Sequence, residues 1–124
     1  MEHKRADVVW LGNSKKVLKS WPPEVMHSLG TSLGLLQHGK PSALPSRPMK
    51  SVAAGVFELK EQDASQWYRL MYAARIEDNI YVLHCFTKKS AKTEASDLNL
   101  ARQRWKQLQR DLQEKKNAER KGNY

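Results

Sequence analysis

Cysteine is almost absent from this chain: Cys85 is the only one among 124 residues. That excludes an intramolecular disulfide and a cysteine-rich metal site. A lone Cys inside an apolar run reads as a buried strand residue rather than a nucleophile. Long apolar runs are missing too. Nothing approaches the roughly 18 residues that a membrane-spanning helix needs. Met1-Glu2-His3-Lys4-Arg5 is followed by no apolar core of a signal peptide. The expectation is a cytoplasmic protein with no membrane partner. Histidine is sparse, and His3, His27, His38 and His84 fall at no metal-ligand spacing, so no metal and no cofactor are expected. There is also no glycine-rich phosphate loop, no nucleophile elbow and no defensible pair of catalytic carboxylates.

Acidic residues are the other scarcity. Thirteen Asp and Glu face 22 Lys and Arg, a net charge of +9 and a pI near 9.8. Charge of that size on a small domain attracts polyanions, nucleic acid above all. It is unevenly placed. Residues 1–60 carry nine basic and four acidic side chains, residues 61–86 carry two and four, and residues 87–124 carry eleven and five. The positive flanks enclose a nearly neutral, apolar middle.

What is present fits one domain over residues 1–124. Ala6–Leu11 is a short apolar run ended by Gly12-Asn13-Ser14, a strand and turn. Ser14 is placed to cap a helix bearing Val17, Leu18 and Trp21. Pro22-Pro23 breaks it and starts another, in which Val25, Met26, Leu29, Leu33 and Leu36 recur at helical spacing up to Gly39. Residues 40–55, with Pro41, Pro45, Pro48 and Gly55, read as a loop. Three strands follow, Val56–Lys60, Gln66–Ile76 and Ile80–Phe86, joined by short polar links as an antiparallel meander. Leu98, Ala101, Trp105, Leu108 and Leu112 make the apolar stripe of a last helix, capped by Thr93 or Ser96. Residues 115–124 carry no stripe and are expected to fray. The class is α+β, in the order β-α-α-β-β-β-α, with helices on one face of a small antiparallel sheet and the other face free.

Alternation along the strands assigns the faces. Phe57, Leu59, Tyr68, Leu70 and Tyr72 go under the helices, which leaves Lys60 and Arg69 together on the free face. Lys88, Lys89 and Lys92 leave the third strand nearby, so that five cations converge. His84, late in that strand, is read first as a filled strand position and second as a proton carrier.

The ordered set Leu35-Leu36-Gln37-His38-Gly39, Arg47-Pro48-Met49-Lys50, Gly55-Val56-Phe57-Glu58-Leu59-Lys60, Tyr68-Arg69-Leu70-Met71-Tyr72 and Tyr81–Thr93 resembles the RelE/HigB toxins, especially their phage-related HigB-like branch. The likeness runs over roughly residues 5–108. It implies the toxin of a type II toxin–antitoxin pair, a ribosome-dependent mRNA endonuclease whose sites are rich in Lys and Arg. Lys60, Arg69 and Lys89 then take the catalytic positions, with Arg69 gripping the scissile phosphate and Lys89 near the leaving group. Arg47, Lys50, Trp67, His84, Lys88 and Lys92 are the RNA- and ribosome-binding candidates. Glu58 stands where RelE proper often has a basic residue. The family's base-stacking Tyr falls near Ala95, so that role is missing or passes to Trp67 or His84. The implied partners are the ribosome, mRNA and a cognate antitoxin, a helix-turn-helix protein from the adjacent gene. Two other readings stand beside this one: a ParE-like gyrase poison, and a non-catalytic phage-derived module that binds RNA or protein.

Overall fold

The computed structural model describes residues 5–89 and 94–122. The chain runs β1 (Asp7–Trp10), α1 (Ser14–Lys19), α2 (Pro23–Gln37), β2 (Ser46–Pro48), β3 (Val56–Gln62), β4 (Trp67–Ile76), β5 (Asn79–Lys88) and α3 (Ala95–Gly122). The strands form one five-stranded sheet in the order β1-β5-β4-β3-β2. The α+β class and the β3–β4–β5 meander stand as expected, all three strands pairing antiparallel. No helix among the described residues is long and apolar enough to cross a membrane.

Local chemistry explains most boundaries. Pro23 opens α2 at its first position, where a missing N–H costs nothing. Gly39, at φ 74°, ends it in the left-handed conformation that glycine adopts without strain. The β3–β4 link is tied by Asp63, whose carboxylate accepts bonds from the Ser65 and Gln66 backbone N–H groups and from the Tyr68 hydroxyl. Those bonds hold its pKa below the ordinary carboxylate value, the Tyr68 bond most of all.

Several expectations need correction. Residues 40–55 are not all loop, because Ser46–Pro48 pairs with β3 as an edge strand, Arg47 opposite Glu58. Pro48 is compatible with that place, since an edge strand has one side with no ladder to feed. The sheet is mixed rather than antiparallel, because β1 pairs with β5 in parallel. Ser14 does not cap α1. Its buried hydroxyl donates instead to the Val82 carbonyl at 3.4 Å, and the N-cap residue, Asn13, makes no side-chain capping bond among the described residues. Ser96 does not cap α3 but lies within it, and Thr93 is outside the described residues. The stretch 115–122, expected to fray, continues α3 as exposed helix.

The last correction bears on function. The helices do not share one face. Leu18, Trp21, Val25, Leu29 and Leu33 of the first two helices and their link pack on Leu59, Tyr68, Leu70, Tyr72 and Val82. Ala101 and Leu108 of α3 pack on the opposite face, against Val56, Met71, Ala73, Tyr81 and Leu83. The face expected to be free is therefore partly roofed. Arg104 fastens the roof, donating to the Leu83 carbonyl at 2.8 Å and to Asn13 at 3.0 Å. Its guanidinium lies where a Cβ on Gly12 would stand only 2.5 Å away, and Gly12 also has φ 55°. The positive φ is what favours glycine there, since the guanidinium is the far end of a flexible side chain and can give way.

Candidate functional site

Three rows of side chains cross the α3-facing side of the sheet. Arg47, Glu58, Met71 and His84 make the first. Lys60, Arg69 and Phe86 make the second, and Gln62, Trp67 and Lys88 the third. A register shift in β5 produces this alignment. Met71 pairs with His84 while Tyr72 pairs with Val82, so Leu83 is the extra residue of a bulge. Without the bulge, strict alternation would turn His84, Phe86 and Lys88 to the other face.

Lys60 and Arg69 are direct cross-strand neighbours, as the alternation predicts. Their surroundings differ from the expected open cation cluster. Arg69 is fully buried, with Nη1 3.3 Å from Oε1 and 3.5 Å from Oε2 of Glu58. Glu58 is also fully buried, and Arg47 approaches the same Oε1 from the exposed side at 3.4 Å. A carboxylate thus sits between two arginines. The expectation that Arg69 lies on a free face fails, because its side chain is taken fully inside, and a charge inside needs a counter-charge. Glu58 meets that need. Its signal was legible, since it shares the strand face of Lys60 two residues away.

Lys60 is half-buried, with Nζ 5.7 Å from the Trp67 ring centroid. Its proton affinity is lowered, first by burial and then by Arg47 and Arg69, while Glu58 acts against them. A lysine in that state exchanges a proton more readily than a solvated one.

The third row is tied to α3. Lys88 Nζ lies 2.8 Å from Asp97 and 3.1 Å from Glu94. Burial works against its charge, but the two carboxylates outweigh burial and raise its pKa. Asp97 also accepts from His84 Nε2 at 2.9 Å, and the His84 ring stacks on Phe86 at 4.8 Å. Burial pushes the His84 pKa down more than Asp97 pulls it up, with Arg104 and Lys88 adding to the fall. A neutral imidazole whose Nε2 faces a carboxylate carries its proton there, which leaves Nδ1 as a basic nitrogen. Nδ1 is buried and makes no hydrogen bond among the described residues. His84 is thus buried, with its ring face against Phe86 and its edge on Asp97, which agrees with the first reading of it as a filled strand position and leaves no open ring face for a base.

Lys88 and Lys89 line a polar cleft of about 490 Å³ together with Gln66, Thr87, Glu94 and Asp97. Lys89 and Lys50 are exposed, and Trp67 is half-buried. Lys92 lies outside the described residues. Sequence reasoning missed Asp97, Glu94 and Arg104, because their roles depend on where α3 lands and periodicity does not say that. Cys85 is buried as expected, its thiol pushed up to about 12 mainly by that burial.

A family model described as phage derived protein Gp49-like (DUF891) matches residues 16–106. No curated protein and no solved structure matches the chain.

Proposed function

Because the chain belongs to the phage-derived Gp49-like family, a set of toxin-like modules, we propose that it is the toxin of a type II toxin–antitoxin pair and cuts mRNA on the ribosome. The observation that carries this reading is the Lys60–Arg69 cross-strand pair, set between Arg47 on one side and Lys88 on the other. Phosphate-binding cations are many there, and the ordinary acid–base groups, Glu58, His84 and Asp97, are each engaged with a neighbour.

The chemistry suited to such a site is transesterification. The ribose 2′-hydroxyl attacks the adjacent phosphorus and gives up its proton. The bond to the 5′-oxygen breaks, and that oxygen takes a proton. The products are a 2′,3′-cyclic phosphate and a free 5′-hydroxyl. Arg69, with its planar fork, holds two oxygens of the crowded phosphorane. To do so it exchanges the Glu58 carboxylate for the phosphate. Arg47 keeps Glu58 paired while the exchange occurs. Lys60, with its lowered proton affinity, is suited to proton transfer, and the His84–Asp97 pair offers a second proton site. Lys89, at the exposed end of the cleft, neutralises the leaving side. Arg47, Lys50, Lys88 and Trp67, with Lys92, contact the RNA and the ribosome. The antitoxin is the neighbouring-gene product that keeps this activity in check.

The test is induced expression in bacteria followed by mapping of mRNA 5′ ends, with Lys60→Ala and Arg69→Lys beside the wild type at matched soluble levels. Growth arrest with new 5′ ends at ribosome-occupied codons, reduced in both variants, is expected. Normal growth without new ends at confirmed soluble expression would overturn the toxin reading. One observation favours a second reading, a non-catalytic binding module: Arg69 is fully buried and already paired. Growth arrest without RNA cleavage, unchanged in Arg69→Lys, would select it.

A further inference from the structure

The sheet face opposite the cation rows carries a cavity of about 340 Å³ that RNA cleavage does not use. Leu36 of α2, Phe57 of β3, Tyr72 of β4 and Ile80 of β5 form its walls. Phe57 and Tyr72 stack there at 5.8 Å, giving the cavity one broad aromatic side. The two charged residues that line it, Lys40 and Arg75, are both basic and both exposed. Arg75 is held in place by donating to the Gln37 carbonyl at 2.9 Å. Among the described residues no carboxylate lines the cavity.

A pocket of this size, apolar within and basic at the mouth, matches a large apolar side chain flanked by acidic residues. We propose that it is the docking site for an acidic segment of a partner protein, which inserts one aromatic or branched aliphatic side chain between Phe57 and Ile80. Charge selects the class of partner. The chain carries +9, so a basic segment is repelled at long range, while an acidic one is attracted and then oriented by Lys40. The apolar walls supply the holding energy that rim charges alone do not. The site lies across the sheet from Arg69, so a partner seated there leaves the cation rows uncovered. It would act by adding bulk to the molecule or by tethering it. The inference stands independently of RNA cleavage.

The experiment selects peptides of about a dozen residues from a random displayed library on the wild-type protein, with counter-selection on Ala74→Phe. Ala74 lines the cavity and is only half-buried, so a ring at that position fills empty space and leaves the core intact. Circular dichroism and thermal unfolding establish that the variant is folded. The expected peptides share one large apolar residue with Asp or Glu on both sides. They lose at least tenfold in affinity on Ala74→Phe and several-fold on Lys40→Glu. Their binding shifts the amide resonances of Leu36, Phe57 and Ile80 and leaves those of Lys60 and Arg69 unmoved. A consensus without acidic residues, or peptides that bind Ala74→Phe as well as wild type, would overturn the proposal. So would a self-association of the wild type that Ala74→Phe abolishes, because the occupant would then be a second copy. Growth arrest on induction is read from separate cultures, so a failure here leaves the toxin reading untouched, and the reverse also holds.

Discussion

The two faces of one sheet handle burial in opposite ways. Under α1 and α2 the strands present Leu59, Tyr68, Leu70 and Tyr72, and the helices and their link answer with apolar side chains, Trp21 of the link packing edge-on to Tyr68 at 5.1 Å. On the side of the sheet that carries α3 the same strands present Glu58, Lys60, Arg69 and His84 among Met71 and Phe86. Burial on the first face is stabilising in itself, by about 25 cal/mol for each Å² of apolar surface removed from water. On the second face each buried charge costs desolvation and is tolerated through a partner, Glu58 for Arg69 and Asp97 for Lys88, and the neutral His84 ring hydrogen-bonds the same Asp97. A replacement by hydrophobic residues of similar size would often be neutral or better for stability. That so many ionisable groups stand there instead points to use rather than to support.

The largest effect that would break or sharpen this contrast is expected at Arg69. Arg69→Ala leaves Glu58 buried, with the exposed Arg47 as its remaining ion-pair partner. A loss of about 3–5 kcal/mol is typical when one partner of a buried pair is removed. Cleavage should fall by about two powers of ten or more, comparable to removing a preorganised donor. Chemical denaturation and single-turnover cleavage in programmed ribosomes measure the two separately. The double variant Glu58→Leu with Arg69→Met, which removes both charges, should recover most of the stability and none of the cleavage. If stability and cleavage return together, the charges on this face are structural and the functional reading of the cluster is wrong.

The apolar face should answer differently. Leu70→Ala, next in sequence to Arg69 and equally buried, should cost about 2–5 kcal/mol by transfer and cavity terms together. It should leave cleavage per folded molecule unchanged, measured well below the unfolding midpoint. A variant that stays folded yet cuts tenfold more slowly would show that the two faces are coupled through the strand.

Most of the apolar face could be read from the chain, and most of the charged face could not. Strand alternation sorted Leu59, Tyr68, Leu70 and Tyr72 from Lys60 and Arg69, and the helical stripes marked which residues would cover a sheet. Alternation is local, and it held wherever a strand stayed regular. It could not foresee the β5 bulge, which turns His84, Phe86 and Lys88 to the side of Arg69. Nor could it tell which face α3 would choose, because an amphipathic stripe fits either. The edge strand Ser46–Pro48 was hidden behind its prolines and is recognisable only by its partner β3. The ion pairs follow from these placements. Asp97 meets Lys88 and His84 only once α3 is set down on that side.

A smaller effect comes from His84. Its folded pKa lies below the ordinary value because burial disfavours the charged ring. The unfolded chain titrates this group near pH 6.5. Between that pH and the lower folded value, the unfolded state holds more protons than the folded one. Stability is therefore complete above about pH 6.5 and declines as the pH falls below it, by at most about 1.4 kcal/mol per pH unit for one proton. Urea unfolding from pH 7.5 to pH 5 should show that slope, and His84→Gln should flatten it. A slope that survives the substitution would place the titration elsewhere and remove the argument for a neutral His84 beside Asp97.

The smallest effects belong to the charges that neither face buries. Lys50 and Lys89 are exposed, so replacing either by Ala should shift stability by no more than about 0.5 kcal/mol. Their expected contribution is to encounter and seating on ribosomal and messenger RNA. Removing one cation that touches a phosphate should lower the slope of log affinity against log salt by about 0.9 on duplex regions and about 0.7 on single strands. The two residues should then differ from each other. Lys50 lies in the link after the edge strand β2, far along the sheet from the Lys88 cleft, so Lys50→Ala should weaken ribosome binding and leave the rate at saturation untouched. Lys89 lines the cleft beside Lys88, so Lys89→Ala should lower the salt slope and slow the chemical step as well. Binding isotherms at several salt concentrations, paired with single-turnover rates at saturating ribosomes, separate the two. If both variants change only the salt slope, Lys89 is a seating residue like Lys50, and the reacting groups narrow to Lys60, Arg69 and the His84–Asp97 pair.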